Sequence, residues 1–523
     1  STYKLFTSGS QYGFYSQNKA DERSLYTDLM GNVNKVLGDF SVGANVGVSL
    51  AQQSYHALGI QGGLKSPSNV FSPYAVDYGN ANQDNHPNYG DWKHRTNSVF
   101  YNLGLGWRSM IYLTTTGRQE WDSSLSNTNN PGFFYPSVGL SGVITEMVKL
   151  PGWVTFLRVR GSWASVGSAI ERNITSPWRY QYDVAKQAYG TVTYIMPENF
   201  YPERTDSWEG GISARLFNGA VNIDATYYKS NTRNQTFLRP ISSSSGFDSE
   251  YVQTGNVENR GVELSVGYNK TWNRFTWNTN FTYSMNRNKI IELLPDENEF
   301  ISKGGFDGAD ILLKKGGTMG DLYIYNELQR TAEGYMALND KNNVIKIGLG
   351  SHPRYMGSVL PHGNFGYRND FSWRGVNFGF MLSARLGGVV ISSTQAMLDQ
   401  HGVTKATAIS RDNGGIAVNN GLIKAEAYYQ VVGGESAVWS EYIYNGSNVR
   451  LQEAFIGYSL PSSWFDDKVN MSVTLTGRNL WMIYNKAPFD PELTASTGTY
   501  YQGFDYFMQP GLRNFGFNVK LQF

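Results

Sequence analysis

Apolar and polar side chains alternate along much of this 523-residue chain. In residues 274–286 the odd positions hold Phe275, Trp277, Phe281, Tyr283 and Met285, with Thr279 the one exception. The even positions hold Thr276, Asn278, Asn280, Thr282, Ser284 and Asn286. Val469, Met471, Val473 and Leu475 alternate likewise with Asn470, Ser472, Thr474 and Thr476. Val221, Ile223, Ala225 and Tyr227 oppose Asn222, Asp224 and Thr226, and Phe515, Phe517, Val519, Leu521 and Phe523 oppose Asn514, Gly516, Asn518, Lys520 and Gln522. Successive strand side chains point to opposite faces, so each segment is a strand with one greasy and one wet face. A soluble sandwich would put Val, Ile and Leu on the greasy face. Here that face carries Phe, Tyr and Trp near strand ends, and the wet face is Asn, Thr, Ser and Gly, as in a membrane barrel with aromatic girdles.

About sixteen such strands are expected, at residues 3–17, 22–35, 38–56, 94–106, 109–122, 133–144, 153–167, 203–216, 220–234, 257–271, 274–290, 363–374, 376–392, 447–459, 468–481 and 511–523. Short turns fall at Leu37, Trp107 and Arg108, Asn218 and Gly219, Trp272 and Asn273, and Arg374 and Gly375. Long segments at 57–93, 168–202, 235–256, 291–362, 393–446 and 482–510 are rich in Gly, Asn, Ser, Asp and Tyr. Short turns on one rim and long loops on the other mark an outer-membrane barrel with extracellular long loops. Residues 291–362 are expected to hold a hairpin of their own, around 322–328 and 344–349. An even strand number puts both ends of the barrel segment on the periplasmic side. The fold class is all-β: a transmembrane, antiparallel, up-and-down β-barrel.

Composition sharpens this. Aromatic residues make up 15% and charged residues 17%, against roughly 25% charged in soluble domains. Mean hydropathy is nevertheless −0.40, as a sheet with one polar face requires. A net charge of +1 argues against a nucleic-acid protein, which carries a basic excess. The absence of Cys excludes disulfides, thiolate metal sites and a Cys nucleophile. No run of about 18 apolar residues is present, so no transmembrane helix is expected. The chain opens on Ser1, which reads as a processed or partial chain.

Seven stretches then carry a resemblance. They are GRQEWDSSL at 117–125, YPSVGLSG at 135–142, LRVRGSWASVGS at 157–168, ERTDSW at 203–208, GNVENRGVEL at 255–264, NVRLQEAFIGYSLP at 448–461 and LTGRNLWMIYNKAPFDPEL at 475–493. In this order, and with a closing strand that ends on Phe523, the chain resembles the C-terminal barrel portion of the SusC/RagA-type TonB-dependent outer-membrane transporters of Bacteroidetes. The resemblance implies 22 barrel strands, with a plug domain and a TonB-contacting segment upstream of residues 1–523. It implies a SusD-like surface lipoprotein over the extracellular loops, a TonB complex acting through the plug, outer-membrane lipids around the wall, and a dimer of transporter–lipoprotein pairs as an assembly. The substrate would be an oligosaccharide or a peptide. Phe523 would mark the chain for barrel assembly.

Signals for catalysis are poor. His56, His86, His94, His352, His362 and His401 show no metal-ligand spacing, and no HExxH, GxSxG, Walker or GxGxxG motif occurs. Neither a metal nor a cofactor is expected. Acidic groups at Asp296, Glu297 and Glu299, and at Asp307 and Asp310, read as solvated loop charges. Asp490, Pro491 and Glu492 read as a fixed turn, and Arg478 beside Trp481 and Tyr484 as a rim arginine reaching lipid headgroups. Loop aromatics are the candidate substrate contacts: Trp178, Tyr180 and Tyr182 in one loop, Phe237 and Phe247 in the next, and Tyr500, Tyr501 and Phe504 in the last. Aromatic faces near Asn, Gln and Asp suit sugar rings or peptide side chains, though packing among loops or against a partner would use the same residues. Three readings follow: an active importer, a passive porin, and a soluble or surface β-rich glycan-binding protein.

Overall fold

The computed structural model describes residues 12–78, 87–172, 174–175, 181–183, 188–190, 194–195, 200–247, 249–293, 301–465, 468–495 and 501–522. Fifteen strands form one antiparallel path in chain order. They are β1 (Phe14–Leu37), β2 (Phe40–Gly63), β3 (Pro87–Trp107), β4 (Ile111–Asp122), β5 (Gly132–Val143), β6 (Val154–Ser168), β7 (Glu203–Leu216), β8 (Val221–Pro240), β9 (Ser249–Trp272), β10 (Phe275–Glu292), β11 (Gly363–Trp373), β12 (Val376–Leu386), β13 (Asn448–Ser459), β14 (Asn470–Asn485) and β15 (Asn514–Gln522). A two-residue strand, Tyr194–Ile195, pairs in parallel with β9 and completes a sixteen-stranded sheet.

The total is the sixteen expected, but the Tyr194–Ile195 strand was not among those expected and the antiparallel path holds fifteen. β1 therefore starts at the long-loop rim and not, as an even number would require, at the rim of the short turns. Residues 14–37 are one strand, paired without a break from Phe14 opposite Gly63 to Leu37 opposite Phe40. The polar run at 18–21 had suggested a boundary. At about 3.3 Å per residue, 24 residues reach roughly 80 Å, whereas about 9–11 residues cross a bilayer. The charged half of β1 therefore stands clear of lipid, where alternation has no cause to persist.

Each expected short turn is present to within a residue or two. Gly38, Arg108, Ser109, Phe217, Asn218, Asn273, Arg374 and Gly375 have positive φ there, the backbone that matches the twist of tight hairpins. Arg108 Nε donates to Asp39 Oδ2 at 2.8 Å and joins two neighbouring turns. Trp153 stacks on Phe217 at 5.8 Å and Trp272 on Phe275 at 5.9 Å, which places an aromatic girdle on this rim.

The two faces of the wall differ as the alternation requires. Val159, Ile212 and Tyr227 are exposed on the outer face. On the other face, Arg160 on β6 reaches across β7 to Asp224 on β8 at 2.9 Å, with Ser213 and Thr226 also accepting from it. Gly211 makes this crossing possible, because a β-carbon there would lie 2.8 Å from the guanidinium. The path ends at β1 and β15, whose residues are almost all exposed. Among the described residues no ladder joins these two strands.

Two long segments, with a piece of a third, fold together into a separate body on the long-loop rim. Ile301–Phe306, Ala309–Leu313, Asp321–Ile324 and Arg354–Ser358 make a four-stranded antiparallel sheet. Asn326–Leu328 pairs with Lys346–Gly348, the hairpin expected from sequence. Val389–Ser392 lies between Ile443–Asn445 and Phe504–Asp505. Three helices follow: α1 (Ser393–Gln400), α2 (Lys405–Asp412) and α3 (Ala425–Val432), the first two capped by Ser392 and Thr404. The body has a true apolar core of Ile311, Leu313, Leu322, Ile324, Val359, Ile391, Trp439 and Phe504. Among the described residues no helix is long and apolar enough to cross a membrane.

Candidate functional site

Where the body meets the wall, an Asn-rich cavity of about 460 Å³ opens on the wet face of β8–β11. Asn259 of β9 and Asn286 and Asn288 of β10 share one network: both β10 amides donate to Asn259 Oδ1, at 3.0 and 2.9 Å. Asn288 Oδ1 in turn accepts from the Met319 backbone N–H at 2.7 Å. A chain of amides thus carries register from the wall to the body. Tyr228, Glu263, Asn364 and Gln502 complete the polar lining, while Met285 and Met319 supply apolar surface. Uncharged amides and hydroxyls beside small apolar patches can hydrogen-bond and orient a polar solute.

The local sequence explains the geometry. β10 pairs with β11 only as far as Ser284 opposite Asn364. Beyond that point its free edge takes a loop instead: Gly316 N–H donates to the Ile290 carbonyl and Ile290 N–H to the Gly317 carbonyl, both at 2.8 Å. Asp321 fixes this loop by accepting from the Thr318 N–H at 3.0 Å. Burial raises the Asp321 pKa above the ordinary carboxylate value, and the Thr318 and Ser358 hydrogen bonds partly restore it. Gly261, within the GNVENRGVEL stretch, has no room for a β-carbon between the Met285 carbonyl and the Tyr228 ring.

A second junction closes the mouth near the end of the chain. Arg450 on β13 is buried and holds Asp490 through two hydrogen bonds, Nη2 to Oδ1 at 2.7 Å and Nη1 to Oδ2 at 3.1 Å. It also pairs with Glu492 at 3.1 Å. The turn expected at Asp490 is present, since Asp490 Oδ1 accepts from the Glu492 N–H at 3.0 Å. Its carboxylates do more than shape a turn: they clamp the last long loop to the wall. Arg478 differs from expectation, pairing with Glu453 across the strands at 3.0 Å rather than reaching outward. Asp307 accepts from Ser436, and Asp310 from Ser302 at 3.3 Å. Among the described residues no group of acidic or His side chains is placed to hold a metal.

The loop aromatics separate. Phe237 and Phe504 are buried in the core of the body. Lys303 Nζ sits 4.5 Å from the centre of the Phe237 ring. Tyr501 meets Phe504 edge-on at 5.5 Å and donates its hydroxyl to the Lys303 carbonyl. Phe247 is half-buried beside the Ser243–Ser245 turn. Trp178, Tyr180, Tyr500 and Phe523 lie outside the described residues, as does the side chain of Tyr182 and the acidic run 296–299. The amide network was not singled out from sequence, although Asn286 and Asn288 continue the polar face of β10. Arg450 gave no signal of its own, because its partners lie 40 and 42 residues away.

A polar-faced sheet of this length, greasy outside and covered by a loop body at one rim, is the architecture of an outer-membrane barrel wall. The profile of the family described as TonB dependent receptor-like, beta-barrel matches residues 1–480. The chain belongs to that family. It is a Gram-negative outer-membrane protein. TonB-dependent receptor P3 of Formosa agariphila is 25% identical over 462 residues, covering 82% of this chain and 45% of the relative. TonB-dependent receptor P39 of the same organism is 22% identical, covering 82% and 46%. The chain thus spans about half the length of these curated relatives. The structure of the RagAB peptide importer in the open-open state superposes with a TM-score of 0.74 at 16% identity, covering 97% of this chain and 56% of that one. A second structure of the RagAB peptide transporter gives 0.71 at 17% identity, with the same coverage. These likenesses bear out the fold and the resemblance to SusC/RagA-type transporters.

Proposed function

We propose that the protein is the barrel of a SusC-type importer that takes up oligosaccharides or peptides with a SusD-like lipoprotein and TonB-derived energy. The observation that carries this reading is the amide-lined cavity beneath a folded loop body at the mouth. A wet inner face with a structured cover favours captured passage over free diffusion. Residues 1–523 then form the C-terminal portion of the barrel, and the edges of β1 and β15 pair with strands carried elsewhere, since lipid tolerates no open edge. The 45% and 46% shares of the relatives support this division. The lipoprotein would sit on the loop body, with two transporter–lipoprotein pairs forming the assembly. Candidate contacts are Phe247 and Tyr501 at the surface of the loops, with Trp178, Tyr180, Tyr182 and Tyr500. Phe237 and Phe504 would meet substrate only if the body opened. Phe523 would serve assembly. The mechanism is binding and gated passage, with no covalent chemistry and no cofactor.

The experiment is uptake of labelled oligosaccharide and peptide pools by cells with and without a protonophore. Energy-dependent uptake that is lost on deleting this gene, with a lipoprotein co-purifying in mild detergent, is the expected result. Uptake that needs this gene but survives the protonophore would replace the importer with the passive porin.

A further inference from the structure

α1, α2 and α3 enclose a second cavity of about 370 Å³, which shares no lining residue with the amide cavity. Pockets of about 300–1,000 Å³ hold small ligands. Its wall combines Asp399, Glu441, Tyr428, Tyr429 and Tyr442. Asp399 is 6% exposed. It accepts from Gln395 Nε2 at 3.0 Å and Thr404 Oγ1 at 2.6 Å, both on Oδ1, and the Tyr442 hydroxyl also lies against it. The donors are neutral, and among the described residues no cation lies within ion-pair distance of Asp399. Tyr442 is 2% exposed, and its hydroxyl leans on the Asp399 carboxylate without a well-formed hydrogen bond. Burial, and then the Asp399 carboxylate, push the Tyr442 ionisation far above its ordinary range, so the group stays a neutral hydroxyl.

A buried carboxylate without a counter-ion costs free energy, and so does a buried hydroxyl without a partner. Arg330 is the cation facing this cavity. Its charge acts on Glu441 and Tyr428, while its own Nη1 donates to the Gly334 carbonyl at 3.0 Å. Arg330 thus answers Glu441 at the exposed rim and leaves Asp399 unopposed. Through Thr404 and Gln395 the Asp399 carboxylate ties α1 to the cap of α2, and a positively charged ligand would add the counter-ion it lacks. Tyr428 and Tyr429, edge to face at 5.5 Å, offer ring surface of the kind that attracts ammonium and guanidinium groups.

We propose that this cavity binds the cationic side chain of a lysine- or arginine-containing peptide, with Asp399 as counter-ion, the Tyr442 oxygen as a second acceptor and the Tyr428–Tyr429 pair against the cation. A neutral sugar fits less well, because it brings hydroxyls but no charge to set against Asp399. The site does not depend on the transport reading, since its occupancy is measured without uptake.

The test is calorimetric titration of the whole detergent-purified protein with trilysine, trialanine and maltotriose. Trilysine binds and the other two do not. Asp399→Asn weakens trilysine at least tenfold, Tyr442→Phe and Glu441→Gln weaken it several-fold, and none of the three lowers the thermal midpoint. The proposal is overturned if wild type ignores trilysine, if Asp399→Asn binds it as tightly, or if maltotriose binds and is lost in Tyr442→Phe. If Asp399→Asn unfolds the body, the proposal is overturned when Tyr442→Phe and Glu441→Gln both bind trilysine as tightly as wild type. Glu441→Gln, at the exposed rim, keeps a binding readout in that case.

Discussion

Leu475 on β14 points outward opposite Phe517 on β15, and more than half of its surface is uncovered. Trp439, in the loop body, has none uncovered: it stacks on Phe306 at 5.1 Å and donates Nε1–H to the Asp307 carbonyl at 2.7 Å. One chain therefore buries apolar side chains by two opposite routes. The wall turns them out toward lipid and keeps Asn, Ser, Thr and ion pairs inside. The body turns them in, as a water-soluble domain does. The wall depends on ladders and on its solvent, the body on packing. Substitutions of similar size should therefore fail differently in the two regions.

The largest effect is expected in the body. Trp439→Ala removes a fully buried ring and should cost about 3–5 kcal/mol locally. Limited proteolysis should then cut within 301–445, while the wall keeps its gel shift between unheated and heated samples. Loss of that shift would mean that wall and body unfold as one unit, and the comparison would break. Next is the seam between them. Arg450→Ala leaves Asp490 half-buried without its partner and should cost roughly 2–3 kcal/mol, toward the low end for a buried pair because Glu492 is more exposed. Hydrogen exchange should quicken in 486–495 first.

The wall's polarity gives the third contrast. Lys at Leu475 places a charge in lipid, at about 2–4 kcal/mol near the midplane, whereas Lys at Thr474, one residue away on the wet face, should cost little. Equilibrium unfolding from lipid vesicles measures both. Equal costs would mean that the outward face has been assigned to the wrong side.

The same contrast explains what could be read in advance. Strands such as β10 and β14 are legible because lipid and water force a period of two on the residues between them. Turns at Asn273 and Gly375 are legible because positive φ restricts residue choice. β1 was split at 18–21 because its outer half leaves the bilayer and the period ends with it. The body is hard to read for a related reason. Its strands are two to six residues long and its core joins Ile311, Ile391, Trp439 and Phe504 from four distant stretches, so no local period marks it. The hairpin at Asn326–Leu328 and Lys346–Gly348 was the exception, flanked by loop residues on both sides. Phe237 and Phe504 were visible as loop aromatics, but only the packing of the body makes them core residues. The Asn259 network and the Arg450 clamp are contacts across strands or loops, and one sequence contains no pairing information of that kind.

The smallest predicted effect is on pH dependence, and it too separates the regions. Asp310, Asp321, Asp399 and Glu441 all lie in the body, and burial raises the pKa of each above its ordinary value. Between the unfolded and the folded pKa, the folded body binds more protons than the unfolded one. Stability from these groups is therefore fully present below the unfolded value and is lost as pH rises through the folded values. Amide exchange in 301–358 and 389–445, corrected for intrinsic rate, should show protection falling as pH rises above about 4, with the slope set by how many of these groups titrate. Asp399→Asn should flatten that slope in α1–α3 and leave the four-stranded sheet around Asp310 and Asp321 unchanged. A slope that Asp399→Asn leaves intact would mean that these carboxylates do not set the body's stability separately. The body would then respond to pH through its junction with the wall, not through its own core.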